Sequence, residues 1–163
     1  MLRQIWTDFI ALFFRRPARA QVAALCWRKG AAGFDVLLIT SRGTKRWVLP
    51  KGWPKLGRSL AQSAEEEAWE EAGVRPLRPA SAAIGRYRAE KTLAGDLPVT
   101  TFVDVFALQV AELAEDYPEK GQRQRLWFPF EKAASLVIEP GLARILRQAP
   151  QYLARQSWPQ TSP

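Results

Sequence analysis

The chain has 163 residues, enough for one domain with a buried core, and its 47% hydrophobic and 25% charged residues are ordinary for a soluble globular protein. It has no histidine and one cysteine, which excludes histidine triads, histidine zinc sites and any disulfide within one chain, and makes a reducing cytoplasm the expected location. A net charge of +8 and a pI near 10.1 point to polyanionic partners, whether nucleic acid, a membrane surface or a phosphorylated small molecule.

From the N-terminus, Met1 to Arg16 places Leu2, Ile5, Trp6, Phe9, Ile10, Leu12 and Phe13 at helical spacing. The segment is too short to span a bilayer and runs into Arg15-Arg16-Pro17 instead of a small-residue cleavage site. It reads as an amphipathic helix that docks on the domain or forms a homodimer, in preference to a peripheral membrane anchor. Residues 1–17 are thus set apart from a catalytic-size domain over 18–156 and a frayed tail over 157–163.

After Pro17, strand-like runs cover Ala20 to Trp27 and Asp35 to Thr40, with a turn near Lys29-Gly30, and a third covers Trp47 to Leu49. Cys26 lies inside the first apolar run and reads as a small core residue, not a nucleophile. Further strands are expected at Ala83 to Arg88 and Thr100 to Val110, around a hairpin-like turn at Ala94-Gly95-Asp96, and a short one at Leu126 to Phe128. Helices fit Phe130 to Leu136 and Gly141 to Arg155. No internal repeat is visible, and strands mixed with helices in this order predict an α/β domain with a mixed sheet between helices.

The most informative stretch is Gly52 to Val74, GWPKLGRSLAQSAEEEAWEEAGV, a glycine-rich basic loop ahead of a helix rich in glutamate. At about 100° per residue, Glu71 lies roughly 40° from Glu67 and Glu70 roughly 60° to the other side, so three carboxylates share one flank. Such packing costs an isolated helix a few tenths of a kcal/mol per like-charge pair, and a hard, oxygen-preferring cation such as Mg²⁺ or Mn²⁺ would offset it. The other flank, Ala61, Ala64, Ala68 and Ala72, is a stripe of small residues suited to close packing on a sheet, and Gly73 reads as the C-cap. Gly52 to Ser59 also nearly matches a phosphate-binding loop G-x-x-x-x-G-K-[ST], but Arg58 replaces the lysine, and the bulky Trp53 and donor-lacking Pro54 unsuit a loop that cradles phosphate on its amides.

Gly52 and the run Glu67-Ala68-Trp69-Glu70-Glu71-Ala72-Gly73-Val74 resemble the signature of the Nudix hydrolases, G-x5-E-x7-R-E-U-x-E-E-x-G-U with U aliphatic. Two positions depart from it: Arg58 stands where the family has its first glutamate, and Glu66 where it has arginine. The double exchange looks like the family's loop-to-helix ion pair with its polarity reversed, and it predicts Arg58 and Glu66 within salt-bridge distance. The resemblance covers nearly the whole chain and implies an α/β/α sandwich. Trp47-Val48-Leu49-Pro50-Lys51-Gly52-Trp53-Pro54-Lys55, with Tyr117-Pro118-Glu119 and Leu126-Trp127-Phe128, looks like the branch that contains diphosphoinositol polyphosphate and diadenosine polyphosphate hydrolases.

The resemblance implies metal-dependent hydrolysis of a phosphoanhydride by water. Glu70 and Glu71 would be direct metal ligands, Glu67 a third ligand or the group that orients and deprotonates water, and the Gly52 carbonyl would complete the shell. A further acid from a distant loop is expected, with Glu119 ranked ahead of Glu115 and Asp116. Arg42, Lys45, Arg46, Lys51, Lys55 and Arg58 crowd the same loop, and Arg86 lies on a strand face, so a substrate phosphate chain accounts for these cations economically. Two other readings stay open: a nucleotide or polyphosphate sensor that keeps the fold without turnover, and a nucleic-acid-associated protein using the positive charge, although no nucleic-acid-binding motif is recognisable.

Overall fold

A computed structural model describes residues 20–80, 82–92 and 98–157. The expected N-terminal helix, with the dimer or membrane contact assigned to it, the Ala94-Gly95-Asp96 turn and the tail beyond Ser157 lie outside the described residues.

Eight strands in the described residues form a mixed sheet. The central strand β1 (Ala20–Gly30) pairs antiparallel with β2 (Gly33–Thr40) and parallel with β7 (Pro98–Leu113). Beyond these, β3 (Trp47–Val48) and β8 (Arg125–Pro129) pair with β2, while β5 (Val74–Pro76) and β6 (Ala83–Thr92) pair with β7. The turn expected at Lys29-Gly30 falls two residues later, because Gly30 pairs with Gly33 and the hairpin closes over Ala31 and Ala32.

The β1–β2 ladder runs only from Trp27 to Gly30, and the edge of β1 left open beyond it is taken by the two-residue β4 (Lys51–Gly52), through Val22↔Gly52 and Ala23↔Lys51. This insertion brings the chain across the middle of the sheet just before the first described helix, α1 (Leu60–Ala72). Neither β4 nor β5 is legible in the sequence: two and three residues show no alternation, and their pairing is purely a matter of backbone geometry.

Side chains of β1 alternate between two cores. Val22, Ala24 and Cys26 pack with Leu37 and Ile39 under the Ala61/Ala64/Ala68/Ala72 stripe of α1. Ala23, Leu25 and Trp27 pack with Val36 and Leu38 under α2 (Phe130–Leu136) and α3 (Pro140–Ser157), which contribute Phe130, Ala133, Leu142, Leu146 and Leu153. Both sheet faces are covered, which is why β1 reads as an unbroken apolar run and not as an alternating one. The result is the expected α/β/α sandwich.

Cys26 is fully buried, and burial pushes its thiol far above the ordinary range. Native protein at pH 8 should therefore show no reaction with a thiol-specific disulfide reagent over an hour and one equivalent in denaturant. Rapid stoichiometric labelling of the native state would show that this face of β1 opens.

Candidate active site

Helix α1 is held at both ends. The Ser59 Oγ accepts from the Gln62 N–H at 3.1 Å, and the Gln62 side-chain oxygen accepts from the Ser59 N–H at 2.9 Å, a reciprocal capping box. Gly73 ends the helix in the left-handed region with φ 65°. A Cβ there would also run into Tyr117 and the Arg125 guanidinium, so the position demands glycine twice over. Glu70 and Glu71 occupy the last turn, at the negative pole of the helix, where carboxylates are least favoured, and α1 has no basic residue in that turn. Compensation comes from two other segments.

The first is the loop from β4 into α1. The Lys51 N–H donates to Glu71 Oε2 at 3.0 Å, and Gly52 faces the Glu67 carboxylate so closely that any Cβ would overlap it. The Lys55 N–H donates to Ser63 Oγ at 3.0 Å, while its ammonium reaches Glu70 at 2.6 Å, Glu66 at 3.3 Å and Glu67 at 3.6 Å. Arg58 Nε lies 2.6 Å from Glu66, so the reversed ion pair expected from the sequence is present. Amides of Lys55, Arg58 and Ser59 are spent on Ser63, the Lys55 carbonyl and Gln62, which takes three donors from the phosphate-loop alternative. Both partners of the Arg58–Glu66 pair are partly exposed, so it is worth up to about 1 kcal/mol. Arg58→Glu should lose about that much stability in urea unfolding by setting two carboxylates together, and Arg58→Glu/Glu66→Arg should regain most of it. Additive losses would show that the pair carries no coupling.

The second segment is the stretch between β7 and β8. The Ala114 N–H donates to the Gly73 carbonyl at 2.8 Å, the Glu119 N–H to the Glu70 carbonyl at 3.0 Å, and Arg125 to the Ala72 carbonyl at 2.7 Å, so this loop satisfies the C-terminal carbonyls of α1. Tyr117 stacks on the Arg125 guanidinium at 4.8 Å. Arg123, with a side chain only 8% exposed, pairs with Glu71 at 2.5 Å and Glu119 at 3.5 Å and donates to the Thr40 carbonyl at 3.2 Å. Burial pushes the Glu71 carboxyl up to about 7, against the pull of Arg123 and the Lys51 N–H, and burial also raises Glu67 against the pull of Lys55.

Glu67, Glu70, Glu71, Glu119, Gly52, Lys51 and Lys55 are thus brought together. Arg42 joins them from the β2–β3 connection, 3.4 Å from Glu119 and 3.3 Å from the Gln122 side chain. Lys45 and Arg46 sit in the same connection with exposed side chains and, among the described residues, no ion pair. Arg86 ends a row that crosses four strands, Gly52, Val22, Asp104 and Arg86, and its guanidinium is held by Asp104 at 2.7 and 2.9 Å. Glu115 and Asp116 are exposed, whereas Glu119 is mostly buried at the site. Arg123, with its side chain buried, and Arg125, half-buried, clamp this loop to α1, and the sequence reading singles out neither of them. A basic residue in a polar loop carries no signal of the helix end it will meet.

No group of three carboxylates among the described residues converges in a preformed metal cage. What converges is Glu66, Glu67 and Glu70 on one ammonium. The donors are carboxylate and carbonyl oxygens, each carboxylate oxygen keeping lone pairs beyond its present bonds, and they already accommodate a cation. They fit a hard divalent ion.

The NUDIX domain family profile matches residues 17–149. The chain belongs to the Nudix hydrolase family. It is 30% identical over 116 residues to Nudix hydrolase 12, mitochondrial, of Arabidopsis thaliana, covering 70% of this chain and 57% of the relative, so it spans little more than half that protein's length. It is 30% identical over 121 residues to diphosphoinositol polyphosphate phosphohydrolase 3-alpha of Mus musculus, covering 73% and 69%. Among solved structures, the C. elegans Ap4A hydrolase superposes with a TM-score of 0.59 at 19% identity, over 83% of this chain and 98% of that one. The NUDIX domain of Shewanella oneidensis NrtR, complexed with ADP ribose, superposes with a TM-score of 0.65 at 15% identity, over 90% and 97%. At these identities the structures attest the shared Nudix fold. Among the described residues no helix is long and apolar enough to cross a membrane.

Proposed function

We propose that this Nudix protein is a metal-dependent hydrolase that cleaves a phosphoanhydride bond in a small phosphorylated substrate, a nucleoside diphosphate-linked compound or polyphosphate such as a diadenosine polyphosphate or diphosphoinositol polyphosphate. The observation that carries the reading is the glutamate flank of α1 set against Gly52 with a cation seated in it. Glu67, Glu70, Glu71 and the Gly52 carbonyl are the oxygens that would hold Mg²⁺ or Mn²⁺. Such an ion, when bound, neutralises phosphate charge and acidifies water.

The chain's own residues supply the rest. Glu67, whose burial raises its affinity for a proton, would take one from the water that attacks phosphorus, while the anhydride oxygen leaves with the departing phosphate. Lys51, Lys55 and Arg42, with Lys45 and Arg46 at the rim, would bind the phosphate chain, and Arg86 would serve only a substrate long enough to reach the far end of its row. Glu119, fixed through its own N–H on Glu70, is the supporting acid. The buried lone cysteine is in keeping with a reducing compartment such as the cytoplasm.

The test is product release from diadenosine polyphosphates, nucleoside triphosphates, ADP-ribose and inositol pyrophosphates, with and without Mg²⁺ or Mn²⁺. Turnover that requires the metal supports the hydrolase. Tight binding without turnover would replace it with a sensor, and salt-dependent oligonucleotide binding indifferent to Glu70→Gln/Glu71→Gln with a nucleic-acid role.

A further inference from the structure

The loop that faces the glutamate flank carries two cations, and they do different work. Arg58 pairs with Glu66 alone, on the outer side, and braces the loop. Lys55 is inserted where Glu66, Glu67 and Glu70 meet, with its side chain 27% exposed and its ammonium within 3.6 Å of all three. Two of these, Glu67 and Glu70, are carboxylates that the proposed function assigns to the metal.

We propose that Lys55 is a tethered cation that competes with the divalent ion for Glu67 and Glu70 and so sets the metal affinity of this site. The inference rests on the metal-dependent reading above. Three like charges on one helix flank repel one another when nothing stands between them, and Lys55 relieves that repulsion in the metal-free protein. A divalent ion held by Glu67 and Glu70 would sit within a few ångströms of the ammonium already paired with them, and the repulsion between the two cations favours departure of the ammonium. Departure is easy for this residue. Its backbone stays anchored through the N–H to Ser63 Oγ and the carbonyl that accepts from the Arg58 N–H at 3.2 Å, and only the flexible four-carbon stem has to swing. The released ammonium then stays on a short leash beside the metal, where the phosphate chain of a substrate arrives.

The experiment measures Mn²⁺ binding directly, by calorimetry and by the loss of free-ion EPR signal, in protein without substrate. Lys55→Met is expected to bind Mn²⁺ roughly tenfold tighter than the unsubstituted chain, the ion pair no longer having to be broken. Lys120→Met, which removes an exposed positive charge from the neighbouring loop, is expected to stay within about twofold, so that net charge alone does not account for the gain. In EDTA, Lys55→Met should melt below the unsubstituted chain and gain more from Mn²⁺, reversing the order at saturation. Lys55→Gln serves in the same way if the methionine variant folds poorly. Equal or weaker Mn²⁺ binding in both Lys55 variants, with the unsubstituted chain still binding the ion, overturns the competition and leaves the metal reading standing. Absence of Mn²⁺ binding from every protein overturns both.

Discussion

Glu67→Gln is expected to lower kcat by about 10²- to 10⁴-fold, the range in which a positioned general base acts. Glutamine keeps the shape of the side chain, one oxygen donor and the close approach to Gly52, so the helix and loop stay in place and the loss reports on charge. The substitution also separates the two roles the sequence leaves open for this residue. If Glu67 is a ligand alone, the defect lies in metal affinity, and raising Mg²⁺ restores the rate. If it also takes the proton, the defect persists at saturating metal. Burial already raises its carboxyl, and among the helix glutamates it is the one pressed against the Gly52 backbone, which favours the second outcome. A variant retaining more than about a tenth of the rate at every metal concentration would remove Glu67 from the chemistry, since a lost base costs at least tenfold more. Glu70→Gln, measured alongside, should instead show the affinity defect, because Glu70 holds the shortest contact to the cation now in the cluster.

Much of this site is legible from the chain because it is written in helical spacing. Glu67, Glu70 and Glu71 share a flank by angle alone, the alanine stripe beside them identifies the face that packs on the sheet, and Gly73 marks the end. The Arg58–Glu66 pair is legible for another reason: two departures from a motif that exchange charge are explained together by one contact. What is not legible depends on non-local backbone pairing. β4 is two residues long, and nothing in Lys51-Gly52 announces that it will slot against Val22 and Ala23. The capping of α1 by residues 114–125 depends on where β7 ends, and β7 runs three residues past the expected Val110, delivering Ala114 to Gly73. Lys55 shows the same limit from the other side. The sequence places it in the basic loop with Arg42, Lys45 and Arg46 as one phosphate-binding group, whereas the fold separates Lys55 into the carboxylate cluster and leaves Lys45 and Arg46 exposed.

Arg123→Met is expected to destabilise the metal-free protein by about 3 kcal/mol, the low end of the cost of removing one partner from a buried ion pair. The low end applies because Arg123 Nε is itself buried without a hydrogen-bond partner, and its removal relieves that penalty. The larger part of the loss comes from Glu71, which is 7% exposed and would keep the Lys51 N–H while losing the Arg123 guanidinium. Its dependence on pH has a definite sign. Burial holds the folded Glu71 carboxyl at about 7, above its unfolded value, and Arg123 opposes that rise, so its loss moves the folded value higher still. An acid raised on folding carries no penalty below its unfolded value, where both states hold the proton, and a growing one as pH climbs towards the folded value. The deficit of Arg123→Met should therefore be smaller at pH 5, where it reflects mainly the lost bond to the Thr40 carbonyl, the lost pair with Glu119 and lost packing, and larger at pH 8. Urea unfolding in EDTA at the two pH values measures the difference. Adding Glu71→Gln to Arg123→Met should flatten the pH dependence, since the buried carboxylate is then gone. A deficit equal at both values, or one below about 1 kcal/mol as for an exposed pair, would mean that Glu71 draws its support from elsewhere and that the loop before β8 is not what holds the last turn of α1 in its charged form.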